Sequence, residues 1–272
     1  MKLSIITINY NNLEGLKKTA DSILQQTWTD WEWIVIDGKS SDGSYDFIKQ
    51  HENKIAYWCS EPDKGVYNAM NKGIRHAQGD YLIFMNSGDS FYDNEILNGV
   101  FSLNPQEDVL YGDWIQLFKD RNQEFKIYAP KEFSLYFIVN DNICHQAIFV
   151  KRSLLQQKGY DERYRLYADW AKWIELTLLG CSFRYVPFTI CYYEMGGLSC
   201  QLTEYIEKEK RMLQEALPQT MRNLQDLLNR LWEYENNKII QRTMALTKKR
   251  KFYKRLLRLN VGFVNLLSRI FN

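Results

Sequence analysis

Four short apolar segments, at residues 3–8, 33–37, 55–59 and 81–85, each run straight into polar residues. Helical patterns at 13–25, 45–50 and 66–77 separate them. Strands that alternate with helices build a mostly parallel central sheet flanked by helices, because a parallel return needs a crossover that covers the sheet. This α/β order constrains the fold more than any other feature. It also says where to look for function. In such sheets ligands sit outside the carboxyl ends of the strands. The segments to read are therefore residues 9–12, 37–42, 60–63 and 86–89.

Beyond residue 108 the pattern changes. Residues 109–111, 115–118 and 125–128 read as strands, and 133–138 as a short helix. Residues 147–150 lead into a helix at 153–157, and 168–179 form a firm helix stopped by Gly180. Two more strands are expected at 183–186 and 190–193. Residues 203–236 read as helical, and 245–271 as a second helical region bent at Gly262. The expected organisation is a domain at 1–202, in two halves (1–107 and 108–202), followed by a helical C-terminal extension at 203–272.

Charge separates the same parts. With 45% hydrophobic residues and 5 prolines, this is a folded chain. Its net charge of +2 argues against a basic nucleic-acid binder, and no nucleic-acid partner is expected. The balance hides an asymmetry. Residues 238–272 carry ten Lys or Arg and no acid, so the remainder has a net charge of −8. In the tail, Phe252, Leu256, Leu259, Phe263, Leu266 and Ile270 form one apolar helical stripe beside the cations. Such a helix either packs on the body or on a second copy, or lies on an anionic membrane surface. No run approaches the roughly 20 apolar residues of a spanning helix, and the opening apolar stretch is too short for a signal peptide. The body is expected in the cytoplasm, with reduced thiols: five cysteines without a CxxC pair support neither a disulfide framework nor a zinc knuckle.

The polar segments offer chemistry with ordinary structural alternatives. Asp37 ends a strand and is followed by Gly38, Ser40, Ser41, Asp42 and Gly43. This is either a tight turn that starts a helix or a pocket in which a carboxylate accepts from a nucleotide base or ribose. Neither a GxGxxG nor a GxxxxGK loop is present, which disfavours a dinucleotide dehydrogenase and a P-loop ATPase. Asp89 follows Asn86, Ser87 and Gly88 at a strand end, as an Asx turn or as an oxygen ligand for Mn²⁺ or Mg²⁺. Asp169 opens a helix beside Trp170, as a first-turn charge or as a general base with aromatic rings against a sugar. His145 is a structural histidine or a contact to phosphate or acceptor. Gly196 and Gly197 are a plain turn or a loop over a diphosphate. Trp28, Trp31 and Trp33 read as packing.

Together these segments resemble the family 2 glycosyltransferases, inverting enzymes of GT-A fold. The similarity is greatest to bacterial transferases of O-antigen, capsule and exopolysaccharide synthesis. It covers about residues 1–200: LSIITINYNN, VIDGKSSDGS, EPDKGVYNAMNKGI, FMNSGDSF, NICHQAIFVKRSLL and YADWAKWIEL occur in the family's order. Gly38 replaces a usual aspartate, and Asn86 and Gly88 replace aspartates common in the metal motif, leaving Asp89 as the metal ligand. The resemblance implies a nucleotide-diphospho-sugar transferase fold, with residues 1–107 binding donor and 108–202 binding acceptor. It assigns Asp37, Asp63, Lys64, Asn86 and Asp89 to the donor, with Mn²⁺ or Mg²⁺ on Asp89. Asp169 becomes the catalytic base, and His145, Trp170, Gly196 and Gly197 are assigned to acceptor or diphosphate. The implied reaction is inverting transfer from a UDP-sugar or related donor to a hydroxyl of a polyprenyl-diphosphate-linked glycan. The enzyme would be peripheral on the inner face of the cell membrane, through residues 245–271. Two alternatives remain at this stage. A sugar-phosphate nucleotidyltransferase would need a Gly-rich loop with Arg and Lys after residue 8, which is absent. A catalytically inactive binding scaffold would fit the lost aspartates at Gly38 and Gly88.

Overall fold

The computed structural model describes residues 3–118, 121–196, 203–220, 222–223 and 226. The chain divides into two compact units, residues 1–213 and 214–272. The expected helix at 245–271, Gly197 and Cys200 lie outside the described residues. The four cysteines that are described are all free.

The first half alternates as expected: β1 (Leu3–Asn9), α1 (Leu13–Leu24), β2 (Trp31–Asp37), α2 (Ser44–Gln50), β3 (Tyr57–Ser60), α3 (Val66–His76) and β4 (Tyr81–Phe84). β1 is buried along its whole length, as a strand covered on both faces must be. α1 starts where the Asn12 side chain accepts from the Gly15 amide, and it buries Leu16, Thr19, Ala20 and Ile23 on one face. The order β3-β2-β1-β4 is parallel throughout. The chain steps outward from β1 to β3, then returns to β4 on the other side of β1. The crevice beyond β1 and β4 is thus a topological switch point, where such folds place their ligands. The register puts Asn9 beside Asp37 and Asp37 beside Ser60, a polar row across the strand ends.

The second half corrects the mostly parallel expectation. It contains β5 (Ser90–Phe91), α4 (Ile96–Ser102), β6 (Val109–Phe118), β7 (Gln123–Ile127), α5 (Leu135–Asn140), β8 (Ile148–Lys151), α6 (Arg152–Gln157), α7 (Ala168–Leu178) and β9 (Phe183–Glu194). The β4–β8, β8–β6, β6–β7 and β5–β9 pairs are antiparallel, and only β6–β9 is parallel. One mixed sheet results, with four parallel and four antiparallel pairs among the described residues. The physical reason is connection length. β6 and β7 are joined by a few residues, and a short link can only make an antiparallel hairpin.

Two pairs of expected strands are single long ones. Gly112–Asp113 and Pro187 broke the apolar pattern in sequence, but both lie where the β6–β9 register shifts. A bulge absorbs the extra residues and tolerates proline. Of the expected helical region 203–236, α8 (Thr203–Ala216) forms the first part, and the described residues 219, 220, 222, 223 and 226 are helical again after a break. The break falls at Leu217 and Pro218, because proline has no amide to donate and disfavours helix in the residue before it. No helix among the described residues is long and apolar enough to cross a membrane.

Candidate active site

All four polar strand-end segments reach one cavity of about 1270 Å³. Asn9 to Asn12, Gly38, Pro62 with Asp63, and Asn86 with Ser87 and Asp89 form its sheet side. Trp114, Gln116, Tyr128, Asn142, His145, Gln146 and Asp169 form the other side.

The walls are unusually unsatisfied. Buried polar atoms in folded proteins almost always find a partner. Here Asn9 Oδ1, Asn86 Oδ1, Ser87 Oγ, Trp114 Nε1, Asn142 Oδ1 and Gln146 Oε1 have none, and all six residues line this cavity. Four of the six atoms are carbonyl-type acceptors. They need donors or a cation, which describes a hydroxyl-rich or metal-bearing ligand better than an apolar one.

Two buried carboxylates face the cavity from opposite halves of the chain. Asp89 is 4% exposed. Its Oδ1 accepts from the Glu194 amide (2.9 Å) and its Oδ2 from Gln146 Nε2 (2.7 Å). Burial nevertheless pushes its pKa up to about 6, against the lowering from these bonds and from His145 and Lys18. Asp169 is 5% exposed. It takes the Trp170 amide on Oδ1 (2.7 Å) and His145 Nδ1 on Oδ2 (3.0 Å), with the Tyr67 hydroxyl 3.3 Å from Oδ1. His145 Nε2 lies 2.8 Å from Asn86 Nδ2. An amide nitrogen only donates, so this contact makes Nε2 the acceptor and leaves the ring proton on Nδ1, aimed at Asp169. One short 3₁₀ turn, His145–Ala147, therefore holds both carboxylates: Gln146 grips Asp89 and His145 grips Asp169.

Asp37 behaves differently. It is fully buried and does not line the cavity. Its Oδ1 accepts from Asn9 Nδ2 (2.8 Å) and Ser40 Oγ (2.5 Å), its Oδ2 from Ser40 N (2.9 Å) and Ser60 Oγ (2.5 Å). Those four bonds knot the ends of β1, β2 and β3 together. A direct contact to a ligand would require a serine hydroxyl to turn away. Asp63 does line the cavity, and Lys72 holds it at 2.5 Å while also bonding Glu61 at 2.8 Å. Lys64 is exposed and outside the lining; its carbonyl accepts from Arg165. Trp170 also lies outside the lining, with Nε1 donating to the Ile138 carbonyl (2.5 Å). Gly196 lies on the cavity edge.

The departures at Gly38 and Gly88 have steric causes. A Cβ at Gly38 would come within 3.0 Å of the Tyr10 ring and 3.2 Å of Asp63 Oδ2. Gly88 sits at φ +107°, which side chains rarely adopt. An aspartate at Gly88 would strain the turn that carries Asp89, whereas one at Gly38 would require the Tyr10 and Asp63 side chains to shift.

The donor set suits a hard divalent cation. Asp89 retains free lone pairs, and the unpartnered oxygens of Asn86 and Gln146 belong to the residues that bond His145 and Asp89. Among the described residues no group of three His, Cys, Asp or Glu forms a closed cage.

Sequence reading passed over Trp114, Gln146, Lys72 and Tyr67. Trp114 fell in the gap between two expected strands. Gln146 was visible only as the neighbour of His145.

Comparison with known proteins agrees with this geometry. Residues 4–157 match the family described as Glycosyl transferase family 2. A PGL/p-HBAD biosynthesis glycosyltransferase of Mycobacterium bovis is 32% identical over 255 residues, covering 89% of this chain and 94% of the relative. An uncharacterized glycosyltransferase of Mycobacterium tuberculosis is 34% identical over 203 residues, 72% of this chain and 76% of the relative. Among solved structures, S. aureus TarS 1–349 in complex with UDP superposes with a TM-score of 0.64 at 16% identity, covering 90% of this chain and 75% of that one. The mannosyltransferase PcManGT from Pyrobaculum calidifontis, in complex with GDP-Man and Mn²⁺, gives 0.54 at 18% identity, covering 72% and 57%. With a GT-A-like fold, a strand-end cavity and these relatives, the chain belongs to glycosyl transferase family 2, the enzymes that transfer a sugar from a nucleotide-sugar donor.

Proposed function

We propose that this enzyme transfers a sugar, with inversion, from a UDP-sugar to a hydroxyl of a glycan acceptor. The observation that carries the reading is the ring of six unpartnered polar atoms around a cavity that also receives two buried carboxylates. Asp63, Gly38 and Asn9 border the base and ribose. Asp37 acts through the turn it knots. Asp89, with the carbonyl oxygens of Asn86 and Gln146, would hold Mn²⁺ or Mg²⁺. That ion, when bound, offsets negative charge on the departing diphosphate. Asp169 takes the proton of the acceptor hydroxyl. His145 donates to Asp169 Oδ2 and the Trp170 amide to Oδ1, so each oxygen keeps a lone pair with which to receive the proton. Attack from the face opposite the diphosphate inverts the anomeric carbon in one displacement.

The acceptor side of the cavity is aromatic. Trp114 and Tyr128 project from the ends of the β6–β7 hairpin, and the Tyr128 ring is 74% exposed. An exposed ring such as Tyr128 stacks on a sugar face, while Trp114 is 6% exposed and offers its unused Nε1 donor. W114A is expected to leave UDP binding unchanged by calorimetry and to raise the acceptor KM about tenfold, the equivalent of about 1.4 kcal/mol. Equal loss of UDP affinity would move Trp114 to the donor side.

For the acceptor we favour a polyprenyl-diphosphate-linked glycan on the cytoplasmic face of the membrane. The sequence of residues 245–271, cationic with an apolar stripe, is the support for this. Deleting 245–272 is expected to abolish sedimentation with anionic liposomes while retaining UDP binding. Undiminished sedimentation would overturn that role. The test of the donor is a thermal-shift panel of nucleotide sugars with Mn²⁺, in which UDP-sugars should raise Tm more than GDP- or dTDP-sugars. A larger shift with another base would replace UDP.

A further inference from the structure

We propose that Glu209, on α8, is a positioning residue for Asp169: its carboxylate fixes the strap of residues 160–167 from which α7 starts. The proposal rests on Asp169 being the base.

Glu209 lies in the run Glu207-Lys208-Glu209-Lys210-Arg211, which in sequence reads as a solvated helix face. Its four neighbours are exposed, but Glu209 itself is 1% exposed. Its partners are three consecutive backbone amides. Oε1 accepts from Arg165 N (2.5 Å), and Oε2 accepts from Leu166 N (2.9 Å) and Tyr167 N (3.0 Å). Successive amides that converge on one anion form a nest, and bonds to a charged acceptor are stronger than neutral ones.

The strap is held from the other side by the donor half. Asn71 exchanges hydrogen bonds with Tyr160, giving Nδ2 to its carbonyl (2.9 Å) and taking its amide (2.8 Å). The Tyr67 hydroxyl donates to the Leu166 carbonyl (2.5 Å), and the Arg165 guanidinium donates to the Lys64 carbonyl (2.6 Å). The strap is thus clamped between α3, the loop before it, and α8. Asp169 is the second residue of α7, two residues beyond the three amides that Glu209 holds. Where the strap ends decides where this carboxylate points. Misplacing a reacting group by about 1 Å costs about a hundredfold in rate. Glu209 lies outside the cavity lining, while Arg165, Leu166 and Tyr167 of the strap are in it, so its effect reaches the site through the strap and falls most on turnover at Asp169.

The test uses the full chain as wild type, E209A, E209D and D169N. Hydrogen exchange is followed in peptides covering 160–172, with peptides from β1 and β4 as controls. In parallel, UDP affinity is measured by calorimetry with Mn²⁺, and UDP release is measured from UDP-glucose, UDP-galactose and UDP-N-acetylglucosamine. In E209A the strap amides should exchange at least about tenfold faster with the controls unchanged. UDP affinity should stay within about twofold, and turnover should fall about tenfold or more. Formate, small enough to enter the emptied nest, should restore part of both the protection and the turnover in E209A and change neither in wild type. Should E209A fail to fold, E209D keeps the charge on a shorter reach and should show the same changes at smaller amplitude. Wild-type exchange in the strap, or faster exchange with unchanged turnover, would overturn the proposal. Full turnover in D169N would overturn the base assignment instead, and leaves the exchange result on Glu209 to be read by itself.

Discussion

D169N should still bind UDP in the presence of Mn²⁺ and lose sugar transfer by a factor between about a hundred and ten thousand. A general base contributes about that much, and the factor corresponds to about 3 to 5.5 kcal/mol of barrier. The substitution is isosteric. The one oxygen of the new amide can accept from the Trp170 amide or from His145 Nδ1, not from both. The change falls on His145. With the oxygen kept on the Trp170 amide, the first case, its Nδ1–H faces the new amide nitrogen, a clash of two donors; the reverse orientation moves that clash to the Trp170 amide. In the first case the ring can adopt its other tautomer and the Asn86 amide can turn its unpartnered oxygen toward Nε2. The fold therefore accommodates the change while the proton acceptor disappears. Steady-state kinetics with UDP-sugars, beside UDP calorimetry, reads both quantities. Undiminished transfer would remove Asp169 from the mechanism. A matching loss of UDP affinity would make it a donor-binding residue.

The second large effect is expected at Asp89, and it has two signs. D89N should abolish metal-dependent UDP binding and stabilise the ligand-free chain above pH 6. The carboxyl titrates near 3.8 when exposed and near 6 when folded, because burial disfavours its charge. Below about pH 4 both states hold the proton and the site costs nothing. As pH rises to 6 the unfolded chain ionises first, so the folded state loses stability through this window and stays penalised above it. The full penalty is on the order of 3 kcal/mol, the equivalent of about two pKa units. Asparagine carries no charge. It can accept from the Glu194 amide, and Gln146 can turn its unpartnered oxygen to the new NH₂. The thermal unfolding midpoint of D89N should therefore exceed that of wild type at pH 7.5 and converge with it near pH 4. A midpoint below wild type at pH 7.5 would show that the charge is already neutralised in the ligand-free fold. Stability given up at a carboxylate is expected where binding recovers it, here through a cation and a diphosphate.

Much of this site was legible before the fold was seen. The rule that ligands sit beyond the carboxyl ends of parallel strands pointed to four segments, and all four meet at one cavity. Alternation alone identified β1 to β4, because fully buried parallel strands leave a strong apolar signal. The second half was less legible for identifiable reasons. Gly112–Asp113 and Pro187 interrupt the apolar pattern, yet bulges carry β6 and β9 straight through. Antiparallel pairing depended on connection lengths that the pattern does not encode. Side-chain roles were the least visible. Asp37 looked like a pocket residue because it ends a strand, but its acceptor capacity is filled by Asn9, Ser40 and Ser60, which come from three different segments. Gln146 and Glu209 act on residues distant in sequence, and nothing in their local composition marks them.

The central claim is that one cavity holds a nucleotide sugar with its diphosphate at Asp89 and its anomeric carbon facing Asp169. A crystal structure of the D169N chain with Mn²⁺ and the UDP-sugar that gives the largest thermal shift tests this directly. The account predicts a metal ion on Asp89 bridging the two phosphates, uracil against Gly38 and Asp63, and the side chain of residue 169 on the sugar face opposite the diphosphate. A nucleotide bound outside this cavity, or a sugar with residue 169 on the same face as its diphosphate, would contradict it.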